Sequence, residues 1–311
     1  MNARVGSAVL AWWIGTLLAL LAHGCAPATS GPSGDERGAI VLKKQPNGEY
    51  VQYLPRRPPK GILVIAHGSV EEEGAGEADI RKLAQTFLQR WTRFADQHAL
   101  IAVAPLFDHN FGSWIGEPGI VLGGYRALAG KEIGADELVD GIVGQYRAQL
   151  GGEERFYLYG HSAGGQFAGR YAVRHPDHLK ALVLSAPGRY AFPDPQAPWP
   201  YGQKEVTLRM GPQGPSQTIR PDPAGWRRAA ALPITVVVGS ADTEPQPVRP
   251  AHVGTTRVGY ARQWVDAMTP LAPPGRSRIR LIVVPRVGHS SAGREALLLA
   301  ETDPRIAACV A

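Results

Sequence analysis

Six short, almost uninterrupted apolar runs recur along the chain: GILVIAHG (61–68), LIAVAPLF (100–107), RFYLYGHS (155–162), KALVLSAPG (180–188), ITVVVGSAD (234–242) and IRLIVVPRVGHS (279–290). Each is short for a helix and lacks the polar alternation of a strand with one wet face, so each reads as a strand covered on both sides. Between them lie ADIRKLAQTFLQRWTRFADQHA, ADELVDGIVGQYRAQL, GGQFAGRYAVRHP, RVGYARQWVDAM and SAGREALLLAETD, with the apolar spacing of amphipathic helices. That alternation narrows the architecture to an α/β domain with a mostly parallel sheet and helices on both faces. Such sheets offer their ligand sites at the carboxyl ends of the strands. Ahead of the first run, AIVLKK and EYVQYL flank QPNG, an Asn-Gly turn signal that predicts an opening β-hairpin.

A chain of 311 residues with 44% hydrophobic side chains can bury one large core, and residues 39–311 are expected to form a single domain. The formal charge of +6 is spread thinly. Its densest patches, LPRRPPK and GWRRAA, carry no interleaved aromatics suited to bases, so a nucleic-acid partner is not expected. Two stretches lack periodicity, 107–134 and the Pro-, Gly- and aromatic-rich 189–225. A loop as long as the second is usually functional or disordered. It is expected to be a lid-like insertion, with Tyr190, Phe192, Trp199 and Tyr201 offering rings to a substrate.

The N-terminus has the form of an export signal: one positive charge in Asn2–Arg4, an uncharged apolar run from Val5 to Ala22, then small residues. Residues 1–24 read as that signal and 25–38 as a flexible linker. Cys25, behind Leu20, Leu21 and Gly24, resembles the lipid-acceptor cysteine of a lipoprotein signal, although His23 and Ala22 depart from the usual pattern. An uncleaved membrane anchor is the alternative, since 18 apolar residues are just enough to span. In every case the domain is expected outside the cytoplasm, in the periplasm, secreted or lipid-anchored. The other cysteine, Cys309, is either a free thiol or a partner for Cys25.

The third run ends in LYGHSAGGQ, where Gly160, Ser162 and Gly164 spell Gly-x-Ser-x-Gly between a predicted strand and a predicted helix. That context fits a nucleophile elbow, a sharp turn that holds the serine hydroxyl proud of the sheet edge. A serine attacks only when a base takes its proton and a third group orients the base. Asp242 ends the fifth run and His289 lies near the end of the sixth, which supplies acid and base in the order Ser162, Asp242, His289. Glu244 is the competing acid. Donors for a developing oxyanion are expected from the amide of Ala163 and, in the loop His67-Gly68-Ser69 after the first run, the amide of Ser69.

Together the AHGS loop, the GHSAGG elbow, the SAPGRYAFPD…PWPYG segment and the VGSAD acid loop resemble the α/β-hydrolase superfamily over roughly residues 38–305. Within it they are similar to secreted hydrolases related to polyhydroxybutyrate depolymerases and feruloyl esterases. The resemblance implies a serine hydrolase acting on a small or polymeric carboxylic ester through an acyl-enzyme, with no metal or organic cofactor. Asp108, His109 and the run Glu71–Glu73 lack the spacing of metal ligands and read as solvated loop residues. An amidase or peptidase with the same triad, and an inactive hydrolase fold used for binding, remain the alternatives.

Overall fold

The continuous apolar runs become strands buried on both faces. In the computed structural model every residue of β3 (Gly61–Ala66), β4 (Leu100–Pro105) and β11 (Ile234–Gly239) is buried. They join the hairpin β1 (Ile40–Gln45) and β2 (Gly48–Tyr53), together with β7 (Phe156–His161), β8 (Leu179–Ser185) and β12 (Ile279–Val284). The resulting eight-stranded sheet has the order β1-β2-β4-β3-β7-β8-β11-β12. Only β2 runs antiparallel to its neighbours, and every pairing from β4 to β12 is parallel. The structure describes residues 36–69, 76–107, 111, 113–116, 120–210, 213–245 and 256–302. The expected export segment, Cys25, Cys309, Glu71–Glu73, Asp108 and His109 lie outside the described residues. Among the described residues no helix is long and apolar enough to cross a membrane.

Two apolar layers cover the sheet. On one face α1 (Glu77–His98) contributes Ile80, Ala84, Phe87, Leu88, Trp91, Phe94 and Ala95, and α6 (His289–Thr302) contributes Ala296 and Ala300. The spacing of three and four in α1 is what lays one helical stripe on a flat sheet. On the other face pack α2 (Ala135–Gly144), α3 (Ala163–Arg174), α4 (Pro223–Ala230) and α5 (Arg257–Met268).

Two expectations need correction. The stretches 107–134 and 189–225 are not wholly irregular: β5 (Ser113–Gly116), β6 (Ile120–Gly123), β9 (Val206–Arg209) and β10 (Ser216–Ile219) form a second, antiparallel sheet in the order β10-β9-β5-β6. The second stretch also holds the start of α4, whose cap Asp222 accepts a hydrogen bond from the Ala224 amide at 2.9 Å. The other concerns the rings of residues 189–204. Tyr190, Phe192, Trp199 and Tyr201 are all buried in the main core. The backbone folds onto itself through Phe192 N to Tyr201 O at 2.7 Å and Trp199 N to Lys204 O at 2.8 Å. The indoles of Trp226 and Trp264 both donate to Ala191 O, at 3.1 and 3.0 Å, and bind the segment to α4 and α5.

Candidate active site

Strand β7 delivers the chain into Ser162, whose backbone sits at φ 54° and ψ −115°. A non-glycine residue held there costs about 1–3 kcal/mol, so the surroundings must impose the turn. The Ser162 amide donates to Ser185 O on β8 at 2.8 Å, and Ser162 O accepts from the Gln166 amide at 3.1 Å as α3 begins. The two flanking glycines leave room for this. A Cβ on Gly160 would stand 2.2 Å from Gly164 O, and one on Gly164 would stand 2.1 Å from Ala66 O. Larger residues would drive β7, the turn and β3 apart.

His289 opens α6 directly beyond β12. Its Nε2 lies 3.0 Å from Ser162 Oγ and its Nδ1 lies 2.9 Å from Asp242 Oδ2. A carboxylate only accepts, so the imidazole proton belongs on Nδ1 and the lone pair on Nε2 faces the serine. The loops carrying these groups are knitted together. Ala241 N donates to Val287 O at 3.0 Å, Ser240 N to Val284 O at 2.9 Å, and Arg286 N to Ser240 Oγ at 2.8 Å. Glu244 does not reach the imidazole contact; its carboxylate lies at the surface, 3.4 Å from Arg257 Nη1.

The loop after β3 flanks the serine, since a Cβ on Gly68 would lie 3.7 Å from Ser162 Cβ. His67 stiffens it. Its Nδ1–H donates to Gly68 O at 2.7 Å while Nε2 accepts from the Phe107 amide at 3.4 Å, an assignment forced because one partner only accepts and the other only donates. Burial lowers the His67 pKa to about 4, so this ring is a neutral strut. Ser69 is exposed at the end of that loop, and Ala163 is the first residue of α3.

Two neighbours escape sequence reasoning. His161, buried under the site, stacks on His289 with centroids 5.1 Å apart and holds Ser185 Oγ at 3.0 Å through Nδ1. Burial first, then the nearby charges, lower its pKa to about 3. Arg257 reaches in from α5 and donates from Nη1 to Asp242 Oδ1 at 2.6 Å, with both side chains buried. A trace of this is visible in the sequence, because an arginine at the first position of a helix opposes the macrodipole and wants a compensating partner.

The four aromatic residues expected to line the substrate site do not expose rings to one. Tyr190 stacks on Trp264 at 5.1 Å, and Trp199 is 1% exposed with its Nε1 donating to Ala127 O at 2.8 Å. Phe192 and Tyr201 are 6% and 3% exposed. Burying these rings gains more free energy than solvating them.

A family model described as alpha/beta hydrolase fold matches residues 133–230. No curated protein matches the sequence. Among solved structures, a poly(3-hydroxybutyrate) depolymerase from Bordetella parapertussis is 22% identical with a TM-score of 0.59, covering 89% of this chain and 96% of its own. Poly(aspartic acid) hydrolase-1 from Sphingomonas sp. KT-1 is also 22% identical with a TM-score of 0.59, covering 84% and 97%. These likenesses establish the fold that the strand order describes.

Proposed function

From the α/β-hydrolase fold of this chain, we propose that it is a serine hydrolase cleaving carboxylic esters through an acyl-enzyme. The observation that carries the reading is the continuous chain of contacts from Ser162 Oγ through His289 to the buried Asp242. Ser162 Oγ attacks the ester carbonyl carbon while His289 Nε2 takes its proton. Asp242 holds the proton on Nδ1 and offsets the charge of the imidazolium. The amides of Ala163 and Ser69 receive the oxyanion. Collapse of the tetrahedral intermediate breaks the ester C–O bond, and the imidazolium gives its proton to the departing alcohol. Water, deprotonated by the same imidazole, then releases the acid and restores Ser162.

Arg257 is a positioning residue in this scheme, because it fixes the Asp242 oxygen that His289 does not use. The apolar run Val5–Ala22 supports an enzyme exported from the cytoplasm, with Cys25 as a site of lipid attachment. The test is hydrolysis of a panel of short p-nitrophenyl esters, hydroxyalkanoate oligomers, feruloyl esters and peptides by the parent and by Ser162→Ala. Ester hydrolysis that falls by about 10⁴-fold or more in the variant supports the reading. Activity retained within tenfold removes Ser162 from the chemistry, and turnover of peptides alone makes the protein an amidase.

A further inference from the structure

At the far end of α3 a second cluster of polar side chains takes no part in this chemistry. Asp136 and Asp140 stand four residues apart on one face of α2, while His175 closes α3 and His178 ends the short turn Pro176–His178. One ring nitrogen of each histidine and a carboxylate oxygen of Asp140 lie within 4.8 Å of one another. His178 Nδ1 is 3.1 Å from Asp140 Oδ1. Two ligands on a tetrahedral ion with bonds of about 2.0–2.1 Å are separated by about 3.3 Å, so this pair already has the edge length of such a site.

The hydrogen bonding of His175 also suits a metal ligand. His175 Nε2 lies 2.7 Å from Asp136 Oδ2, and since the carboxylate only accepts, the proton is on Nε2 and the lone pair on Nδ1. A carboxylate behind the far nitrogen is the arrangement that orients a metal-bound imidazole and raises its basicity. The Asp136 side chain is 6% exposed, and Arg174 Nε stands 3.6 Å from the same oxygen, balancing its charge. The His175 and His178 rings stack 5.1 Å apart at 20°. The Tyr171 hydroxyl contacts both Asp140 and, at 2.9 Å, His178 Nδ1. A carboxylate only accepts, so with the hydroxyl donating to Asp140 it is His178 Nδ1 that carries a proton toward these oxygens; an ion bound at Nδ1 takes that proton's place and leaves the ring protonated on Nε2.

We propose that His175, His178 and Asp140 bind one divalent cation of the zinc type, with water completing the shell and Asp136 supporting His175 from behind. Two imidazoles and one carboxylate suit Zn²⁺ and disfavour Ca²⁺ and Mg²⁺, which take oxygen ligands. All three ligands are partly exposed, which leaves a route for the ion and its water. Helix α3 has 12 residues, so the site stands roughly 18 Å along it from Ser162. The ion therefore clamps α2 to α3 and has no part in the reaction at Ser162.

The experiment is calorimetric titration of chelator-treated, full-length protein with ZnCl₂, paired with thermal melts. The parent should bind one equivalent per chain, and at a hundredfold excess over Kd its Tm should rise by about 5 °C or more. His178→Asn and Asp140→Asn should each abolish that rise, Asp136→Asn should weaken binding by about 10–100-fold, and MgCl₂ should do nothing. Hydrolysis at Ser162 should stay within twofold in the His178→Asn variant, which reports that it folds. Absence of saturable binding, or equal binding by the parent, His178→Asn and Asp140→Asn, would show a hydrogen-bonded cluster with no ion and overturn the proposal.

Discussion

Arg257 occupies the one oxygen of Asp242 that His289 leaves free: Nη1 lies 2.6 Å from Oδ1, while His289 Nδ1 lies 2.9 Å from Oδ2. A carboxylate gripped on both oxygens cannot swing away from the imidazole. Charge-assisted hydrogen bonds of this kind are worth about 1.5–3 kcal/mol. If that sum is expressed at the transition state, Arg257→Met loses about 10–100-fold in kcat with KM little changed, and Arg257→Lys recovers part of the loss. Steady-state kinetics on a soluble ester, with circular dichroism to confirm folding, measures this. A folded Arg257→Met variant with kcat within twofold of the parent contradicts a positioning role.

Asp242 and Glu244 compete in the sequence but not in the structure. Asp242→Asn should therefore lower kcat by about 10⁴-fold through loss of the correct imidazole tautomer, and Glu244→Gln by less than tenfold. The opposite ranking would move the acid role to Glu244.

The pH dependence of catalysis and of folding should come from different histidines. Burial holds His67 at about 4 and His161 at about 3, so both are neutral above pH 5 and neither gates the reaction. Only neutral imidazole accepts the serine proton, so log kcat/KM should fall with unit slope on acidification, as one proton blocks the base. A slope of two would bring a second histidine into the mechanism. For folding the sign follows from proton binding. Between pH 6.5 and those lowered values the unfolded chain binds more protons than the native one. Stability is thus full above pH 6.5 and is lost on acidification, by about 1.4 kcal/mol per pH unit for each buried histidine. Urea midpoints for His161→Asn should show a shallower acid decline than the parent.

Trp199→Ala should act on stability and not on substrate choice. Removing a buried indole costs about 3–5 kcal/mol, which for a domain of this size lowers Tm by about 10 °C. KM for short and bulky esters should move together in the variant. A selective rise in KM for bulky esters at unchanged Tm would return the ring to the substrate site.

The parts of the molecule differ in how plainly their residues announce them. Strands such as β3 and β11 are legible because a strand covered on both faces is nearly all apolar, with Thr235 the one polar residue in these two. Ser162, Asp242 and His289 are legible for a related reason, since each lies within a few residues of the carboxyl end of such a strand. The four-residue strands β5, β6, β9 and β10 are too short to stand out: VTLR alternates, but over two repeats only, and SQTI does not. Asp222 followed by Pro223 is a helix-start signal, but it sits at the end of a Pro-rich tract that reads as loop. Composition likewise does not say which way a ring faces, so Tyr190, Phe192, Trp199 and Tyr201 resemble an exposed aromatic lining when they are core. Arg257 and His161 act through contacts across the fold, and apart from the unfavourable place of Arg257 at a helix start the neighbouring residues carry no pattern that names their partners.

The central claim is that Ser162 is an activated nucleophile, and labelling with a fluorophosphonate followed by peptide mass mapping tests it without any assumption about the natural substrate. The probe should add one phosphonyl group per chain, on Ser162, at a rate that falls on acidification as the base is protonated. Ser162→Ala and His289→Ala should both stay unmodified. An unlabelled parent protein, or a label on any other residue that persists in Ser162→Ala, would contradict the account.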